Sequence, residues 1–556
     1  MKLSGGGCAA LGSTSLLSQL ISLQLTGAAC ANAGNTSTSG YKALVCIFLN
    51  GAIDSFDMLA PYEDAEWAAY NSVRLFAARP KASPPSGSTA TTVTASNPNL
   101  LPINSDITNT ASKRYGINGL MPEFQTLYNQ GDLAFIANVG SLIRPINSTA
   151  DYNNLTNRPL GLFSHADLQQ HWQTSVPQSR SQATGWAGRM ADLLNSVQNP
   201  QSRVSMNIAL GSNNLFQTGT TVLPYVVGST GATQPGGYRF YTDADSLWTT
   251  SMSAADRIHS RVANGVGPGN KRSGTLTEQN AGLTGAMFPT ADTATGQLYS
   301  NLLQRTLALK KRASIDVADM FFDATNTTTP VGGVTPGALV AASGQPNPQT
   351  AFDAIASSTT INSTMKGLAA NLNMVARVIQ ARSARGAIPG FSQNRQIFFI
   401  NVGGWDMHDN ITSAMSSALP GMSRALKAFY DATVAMGVSN DVVTFSVSDF
   451  ARTLNPNSTG TDHAWGGNHF VMGGSVKGGK VFGNYPTSLL TPQFPSSTQS
   501  IDLGRGRLIP TTSVDAYNAE LALWFGVPNS DLPTILPNIR NFYASGASAY
   551  PLGILG

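Results

Sequence analysis

The sequence predicts an α/β fold in which helices cover a mainly parallel sheet. Short apolar runs of strand length recur along the chain, and helical patterns lie between several of them. A strand with both faces buried gives a continuous apolar run, which is typical of a parallel sheet covered by helices. The run at 43–49 is continuously apolar, and four similar runs follow at 133–139, 204–210, 396–402 and 442–447.

The last two runs are joined by a segment with helical periodicity. Met422, Leu426 and Phe429 recur at the spacing of one helix face. The pattern ends near Gly437, a residue type common at helix C-termini, and the chain then enters the run at 442–447. Residues 396–447 therefore predict a β-α-β unit, and such connections are right-handed in nearly all parallel sheets.

Two long segments interrupt the predicted strands. Residues 79–112 begin with a stretch rich in Pro, Ser and Thr, which predicts an exposed loop insertion. Residues 254–385 predict a helical insertion, because an apolar stripe at helical spacing runs through their C-terminal part and Gly386 follows as a candidate C-cap. We expect this stripe to pack in the core rather than to bind a partner. Its members are Met365, Leu368, Leu372, Val375 and Ile379.

A glycine-rich stretch at 473–480 is a third candidate connection. Its sequence, GGSVKGGK, lacks the residue order of a phosphate-binding loop. Because it lies between short apolar runs, it predicts the turn of a β-hairpin.

The first 33 residues have the composition of a signal peptide. An apolar stretch at 11–25, too short to span a bilayer, precedes an Ala-Asn-Ala cleavage pattern at 31–33. Residues 2–7 (KLSGGG) are similar to the second half of a twin-arginine leader, so we expect the leader to start a few residues earlier. The prediction is a periplasmic or extracellular protein with one domain at 34–556 and no membrane span after cleavage. A buried N-terminal helix is the alternative.

Composition narrows the classes of function. The 556 residues carry a net charge of +4, and charged residues make up only 12%, about half the usual share. The chain has no long run of Lys or Arg, so we expect no nucleic-acid partner. Two of the three cysteines lie in the predicted signal and leave Cys46 alone, which excludes a disulfide framework and a cysteine zinc site.

Acidic residues and histidines follow three of the predicted strands. Asp54 comes soon after the first strand, and Asp406 and His408 come after the fourth. Asp449 follows the fifth, and His463 comes shortly after it. In open α/β sheets, ligands bind beyond the carboxyl ends of the strands. If the three strands are parallel neighbours, these five side chains converge on one spot.

The chemistry of the five side chains indicates a divalent transition metal. Carboxylate oxygen with imidazole nitrogen suits zinc, manganese or iron, whereas calcium prefers oxygen ligands alone. Five ligands suffice for one ion, or for two ions that share a carboxylate as in two-metal hydrolases. Structural alternatives stay open, with Asp54 or Asp449 as a helix cap and His408 as a core histidine.

The segment 162–172 predicts the start of a helix with Ser164 as its N-cap. A hydroxyl in this position can also be the attacking group, if metal coordination lowers its pKa. His165 would then bind or protonate the substrate. The simpler interpretation is that Ser164 only caps the helix.

Several segments resemble the bacterial domain-of-unknown-function 1501 family, whose members are relatives of the alkaline phosphatase and sulfatase superfamily. The resemblance extends over nearly the whole mature chain, and its Gly-Gly-Trp-Asp-x-His segment is quite specific. The chain carries Asp449 where family members usually have Glu, and Ala52 and Ala451 where they usually have Gly. The similar segments lie at 48–54, 163–165, 185–189, 403–408, 449–453, 460–466, 476–479, 523–527 and 536–538.

The resemblance implies an alkaline-phosphatase-like, three-layer α/β/α sandwich with metal ions at the strand ends. On the superfamily pattern Asp54 would bind one metal, and Asp406 with His408 the other. Asp449 and His463 would complete the ligand shells, and zinc or manganese is the expected metal. The chain lacks the Cys-x-Pro-x-Arg signature of sulfatases, so Ser164 is nucleophile by position only.

The function predicted from these observations is an exported, metal-dependent hydrolase. Its substrates would be phosphate or sulfate esters, either small molecules or polysaccharides. Ser164 or a metal-activated water would attack, and the metals with Arg452 would stabilise the transition state. Two alternatives use the same fold: a non-catalytic exported scaffold or surface protein, and a binding protein for an anionic polysaccharide.

Overall fold

The structure, a computed structural model, describes most of the region that the predicted sheet occupies. The predicted signal at 1–33, most of the helical insertion at 254–385, and Gly386 lie outside the described residues. The described residues are 40–88, 92–103, 115–231, 317, 318, 321, 325, 339, 346–382, 392–486 and 501–555.

The strands of the described residues form two sheets. In chain order they are β1 (Lys42–Leu49), β2 (Leu59–Pro61), β3 (Leu101–Ile103), β4 (Tyr115–Ile117), β5 (Leu133–Gly140), β6 (Asn207–Leu210), β7 (Tyr225–Val227), β8 (Arg395–Val402), β9 (Val442–Ser448), β10 (Gly467–Met472), β11 (Val481–Gly483) and β12 (Thr512–Ser513). The small sheet has the order β2-β4-β3 and is antiparallel.

The large sheet has the order β11-β5-β10-β9-β1-β8-β6-β7, with β12 beside β5. Within the described part of the chain, β10 runs antiparallel to β5 and β9, and the other pairs are parallel. The sheet is therefore mixed and mainly parallel, as predicted. Strands β1, β8 and β9 are parallel neighbours at its centre, so their carboxyl ends meet at one edge.

Helices pack on both faces of this sheet. In chain order the described helices are α1 (Ser55–Met58), α2 (Asp64–Arg74), α3 (Pro122–Gln130), α4 (Thr149–Asn153), α5 (His165–Thr174), α6 (Trp186–Gln198), α7 (Gln349–Ser357), α8 (Ser363–Ala381), α9 (Ile411–Ala435), α10 (Val514–Phe525) and α11 (Leu532–Ile535). Among these described residues, no helix is both long enough and apolar enough to span a bilayer.

Two apolar cores form because successive side chains of a strand point to opposite faces. Val45 and Ile47 of β1 pack in the core that contains residues of α8 and α9. Leu44 and Cys46 pack in the core that contains residues of α6 and α10. The continuous apolar run of β1 is thus explained by a helix layer on each face.

Most of the predicted elements are confirmed. Runs 43–49, 133–139, 396–402 and 442–447 correspond to β1, β5, β8 and β9, whereas only the end of 204–210 forms a strand, β6. Helix α9 connects β8 to β9, and both strands pair in parallel with β1, which lies between them. The five apolar residues of the predicted stripe are buried along α8.

Two predictions about connections are wrong. The stretch 473–480 is not the turn of a hairpin, because β10 and β11 both pair with β5, one on each side. The predicted exposed loop is exposed only in part. Arg79 and Asn97 are buried, because the Arg79 guanidinium bonds both the Asp57 carboxylate and the Asn97 side chain.

Candidate metal centre

Four of the predicted site residues meet beyond the carboxyl ends of β8 and β9. His165, Asp406 and His463 each offer one ligand atom within 4.8 Å of the other two. Asp406 Oδ1 lies 3.5 Å from Nε2 of both His165 and His463, and these two nitrogens are 3.1 Å apart. His408 Nε2 lies 3.1 Å from Asp406 Oδ1 and 3.0 Å from His463 Nε2. Three imidazole nitrogens therefore surround one carboxylate oxygen.

The opposite ring nitrogen of two of these histidines contacts an oxygen that can only accept a hydrogen bond. His165 Nδ1 lies 2.5 Å from Asp449 Oδ2, and His463 Nδ1 lies 2.7 Å from the backbone carbonyl of Phe163. Both Nδ1 atoms must carry the proton, so in the neutral rings the Nε2 lone pairs face each other. Histidines that bind metals have this arrangement, with the outer N–H held by a carboxylate or a carbonyl.

His408 shows a weaker version of the same arrangement at the exposed edge. Its Nδ1 lies 3.4 Å from Asp462 Oδ1, and Asp462 also accepts a 3.0 Å hydrogen bond from Asn457 Nδ2. The side chain of His408 is 48% exposed and that of Asp406 is 47% exposed. The cluster is thus open to solvent on the His408 side.

The spacing of the ligand atoms fits a tetrahedral ion. At zinc–nitrogen distances of about 2.0–2.1 Å, neighbouring ligand atoms are roughly 3.3 Å apart. The distances within the group of His165, Asp406 and His463 are 3.1, 3.5 and 3.5 Å. Two facing lone pairs at such a distance repel each other unless a proton or a cation lies between them. An imidazole-rich ligand set of this size suits zinc better than magnesium or calcium.

Local interactions shift the pKa values of these groups. The hydrogen bond to Asp449 raises the pKa of His165, although burial opposes it. Burial lowers the pKa of His463. Burial alone would raise the pKa of Asp406, but the hydrogen bond and positive charge of Arg452 outweigh it and lower that pKa. Asp406 is therefore ionised at neutral pH, as a metal ligand must be.

The close approach of the segments that follow β1 and β8 depends on Gly51. Its φ is +113°, and a Cβ atom built there would lie 2.6 Å from the backbone nitrogen of Asp406. Its own N–H lies 3.3 Å from each carboxylate oxygen of Asp449. Asp449 also accepts a 3.0 Å hydrogen bond from Gln169 on α5. The ends of β1, β8 and β9 are thereby fixed to one another and to the helix that carries His165.

Phe163 holds His463 through a strained backbone. Its φ is +74°, in the left-handed region that bulky residues rarely adopt. This conformation accompanies the hydrogen bond from His463 Nδ1 to the Phe163 carbonyl. The next residue, Ser164, is the N-cap of α5, and its Oγ accepts a 3.5 Å hydrogen bond from the Asp167 N–H. The predicted helix start is confirmed, with the Ser164 hydroxyl in the capping position.

Asp54 does not join the cluster. It is fully buried, and its Oδ2 lies 2.6 Å from Nη2 of the equally buried Arg74. The expectation that all five predicted ligands converge is therefore wrong for Asp54, since a guanidinium supplies its cation. Asp449 is close to the cluster but bonds the outer nitrogen of His165 instead of facing the three Nε2 atoms.

The guanidinium of Arg452 also bonds groups inside the protein. It is fully buried, and its Nη1 donates a 2.7 Å hydrogen bond to Asp406 Oδ1. Its Nε and Nη2 donate to the hydroxyl and the backbone carbonyl of Thr461. The contacts of Arg452 therefore orient Asp406.

Sequence reasoning missed three groups that support the cluster: Gln169, Asp462 and the Phe163 carbonyl. Gln169 could have been found, because it lies one helical turn after His165 on the predicted helix. Asp462 directly precedes His463, which made it a neighbour but gave no sign of its contact with His408. The contact of the Phe163 carbonyl could not be predicted, because every residue has a backbone carbonyl.

The fold and the cluster define a class of protein, α/β with a candidate metal centre beyond the carboxyl ends of parallel strands. Residues 277–495 match the family described as "Protein of unknown function (DUF1501)", which supports membership in that family. The matched range includes Asp406, His408, Asp449 and His463, and it excludes His165. No curated protein and no solved structure matches the chain.

Proposed function

We propose that this protein is an exported, metal-dependent hydrolase of phosphate or sulfate esters. The observation that carries the proposal is the convergence of three imidazole Nε2 atoms on Asp406 Oδ1, at 3.1, 3.5 and 3.5 Å. His165, Asp406 and His463 would hold one divalent ion, with zinc the best fit to this ligand set. A distant relationship to alkaline phosphatases and sulfatases, with a three-layer α/β/α sandwich, belongs to the same proposal.

One ion is proposed rather than two. The sequence offered enough ligands for a pair of ions, but Asp54 pairs with Arg74 at 2.6 Å and Asp449 bonds His165 at 2.5 Å. The groups that remain are the three ligands and His408. Three protein ligands with a solvent-exposed side are typical of catalytic zinc sites, whereas structural zinc sites have four.

The protein residues have separate roles in this proposal. A divalent ion in such a site lowers the pKa of a bound water and offsets negative charge on an ester oxygen. His408, at the exposed edge, accepts a proton at Nε2 from the attacking water. Arg452 keeps Asp406 ionised and oriented through its 2.7 Å hydrogen bond. Water is the proposed attacking group, because the Ser164 hydroxyl already accepts a hydrogen bond from the Asp167 N–H as the helix cap.

The test is the zinc content and ester hydrolysis of the purified mature protein and of two matched histidine variants. We expect about one zinc per chain after dialysis, and His463→Ala should weaken zinc binding by about 100-fold or more. His171→Phe is the control. His171 lies on α5 like His165, but it is buried and hydrogen-bonds no other group with either ring nitrogen.

The substrate screen uses 4-nitrophenyl phosphate and 4-nitrophenyl sulfate. Hydrolysis that requires zinc and is lost in His463→Ala, but not in His171→Phe, supports the proposal. Zinc bound without hydrolysis of either ester favours a binding protein. Absence of zinc, even after incubation with zinc and manganese, rules out the metal centre and favours a scaffold.

A further inference from the structure

An arginine outside the cluster lies behind its exposed edge. Arg505 Nη2 lies 2.6 Å from Asp462 Oδ2, and the other oxygen of Asp462 lies 3.4 Å from His408 Nδ1. Because His408 Nε2 faces the cluster, Arg505 lies on the opposite side of that ring. Its side chain is 49% exposed, whereas that of Arg452 is fully buried. Arg505 can therefore contact a ligand from solvent, and Arg452 cannot.

Arg505 is held by a tight loop at 502–508. Asp502 Oδ1 accepts hydrogen bonds from the N–H groups of Gly504, at 2.8 Å, and Gly506, at 2.9 Å. The Arg505 carbonyl accepts a further hydrogen bond from Asn455 N–H. The φ of Arg505 is +61°, in the left-handed region that residues with a Cβ rarely adopt. Such strain persists only where the surrounding contacts fix the backbone.

The second arginine of the loop has a different role. Arg507 Nε donates to the Gly504 carbonyl and Nη2 donates to the Leu503 carbonyl, so Arg507 braces the loop. Its guanidinium lies 5.3 Å from the ring centroid of Phe163. The loop thus uses Arg507 for its own structure and presents Arg505 at the surface.

We propose that Arg505 forms a subsite for a second anionic group of the substrate, next to the ester that reacts. The inference rests on the proposed function, which places the reacting ester at the cluster. A guanidinium binds carboxylate, sulfate and phosphate oxygens through two parallel N–H groups. Because the His408 ring separates Arg505 from the cluster, Arg505 meets the neighbouring group and not the reacting one. The substrate class is therefore an ester that carries an additional negative charge.

Two benzylphosphonates that resist hydrolysis test this subsite. The probes are 4-carboxybenzylphosphonate and its neutral analogue, 4-carbamoylbenzylphosphonate. Calorimetry on the full chain with zinc should show that the wild type binds the carboxylate about 3- to 10-fold more tightly than the amide. Arg505→Met should remove this preference with zinc content unchanged, and Arg505→Lys should retain part of it. Arg424→Met is the control. Arg424, on α9, is 51% exposed like Arg505 and also pairs with a carboxylate, since its Nε lies 3.6 Å from Glu123 Oε1 on α3.

Each outcome of this experiment decides the inference. A preference that survives in Arg505→Met, or is lost equally in Arg424→Met, overturns the subsite. So does a wild-type protein that binds both probes equally or binds neither. A protein that keeps the Arg505-dependent preference but hydrolyses no ester retains the anion subsite and loses the hydrolase proposal. The failures of the two proposals are therefore distinguishable.

Discussion

Two charged regions lie at the same end of the sheet and have opposite characters. In the first, Asp406 and its histidines are partly exposed, and imidazole nitrogens face one another at about 3 Å. In the second, Asp54 is fully buried against Arg74, and Asp57 is buried against Arg79. In the second region both carboxylates pair with a buried arginine. In the first, Arg452 pairs with Asp406, but the imidazole lone pairs face one another. A carboxylate after a strand end therefore indicates a metal only when imidazole nitrogens meet it as well.

The largest expected effect comes from removing the internal cation of the second region. Arg74→Met leaves Asp54 buried without a partner and should destabilise the protein by about 3–5 kcal/mol in urea unfolding. Asp54→Asn combined with Arg74→Met should recover part of the loss, because it removes the unpaired charge. Zinc content should stay the same in both variants. A second zinc ion in Arg74→Met would show instead that Asp54 is a ligand which the arginine displaces.

A smaller effect is expected from a change in a residue that orients a candidate metal ligand. Asp449→Asn keeps the shape of the side chain but removes the negative charge opposite His165 Nδ1. Zinc affinity should fall about 10- to 100-fold, as measured by competition with a chelator. Gln169→Leu, which removes a neutral donor to the same carboxylate, should cost less. Equal losses in the two variants would mean that packing, and not charge, orients His165.

The smallest expected effect concerns Ser164, the predicted nucleophile. Ser164→Ala should cost about 1 kcal/mol of stability through loss of the helix cap, with little change in the hydrolysis rate. Ser513→Ala is a matched control, because Ser513 caps α10 by accepting a 3.0 Å hydrogen bond from Ala516 N–H. Loss of nearly all activity in Ser164→Ala, with zinc retained, would show instead that Ser164 is the nucleophile.

The sheet was predictable from the sequence because both faces of its central strands are buried. Most of β1 is a continuous apolar run, and β8 and β9 are largely apolar. The short length of these runs and their β-branched and aromatic residues favour a strand over a helix. The pairing of the strands on either side of 473–480 was not predictable in this way. β10 and β11 are close in sequence, yet β5 lies between them, and the glycine-rich connection between the two strands does not record which strand lies next to which.

The candidate site was predictable in its residue types and less so in its pairings. Strand ends identified Asp406, His408 and His463, because parallel neighbours bring such positions to one edge. The contact between His165 and His463 spans 298 residues, and no local pattern encodes it. The sequence also could not show that Arg74 on α2 lies against Asp54, since Asp and Arg are common and their spacing by 20 residues fits no motif.

Gly51 is a position at which a substitution would disturb the candidate metal centre more than the sheet. Any side chain there would push on the backbone of Asp406, which lies 2.6 Å from the position of a Cβ atom. A Cβ atom there would also meet the backbone of Trp405, so the strain would fall on the segments that follow β1 and β8 and not on the strands themselves. A single codon change at a residue without a functional group would then leave a lineage that has the architecture and lacks the centre. Among relatives of this protein, the residue at this position should therefore distinguish metal-binding members from purely structural ones.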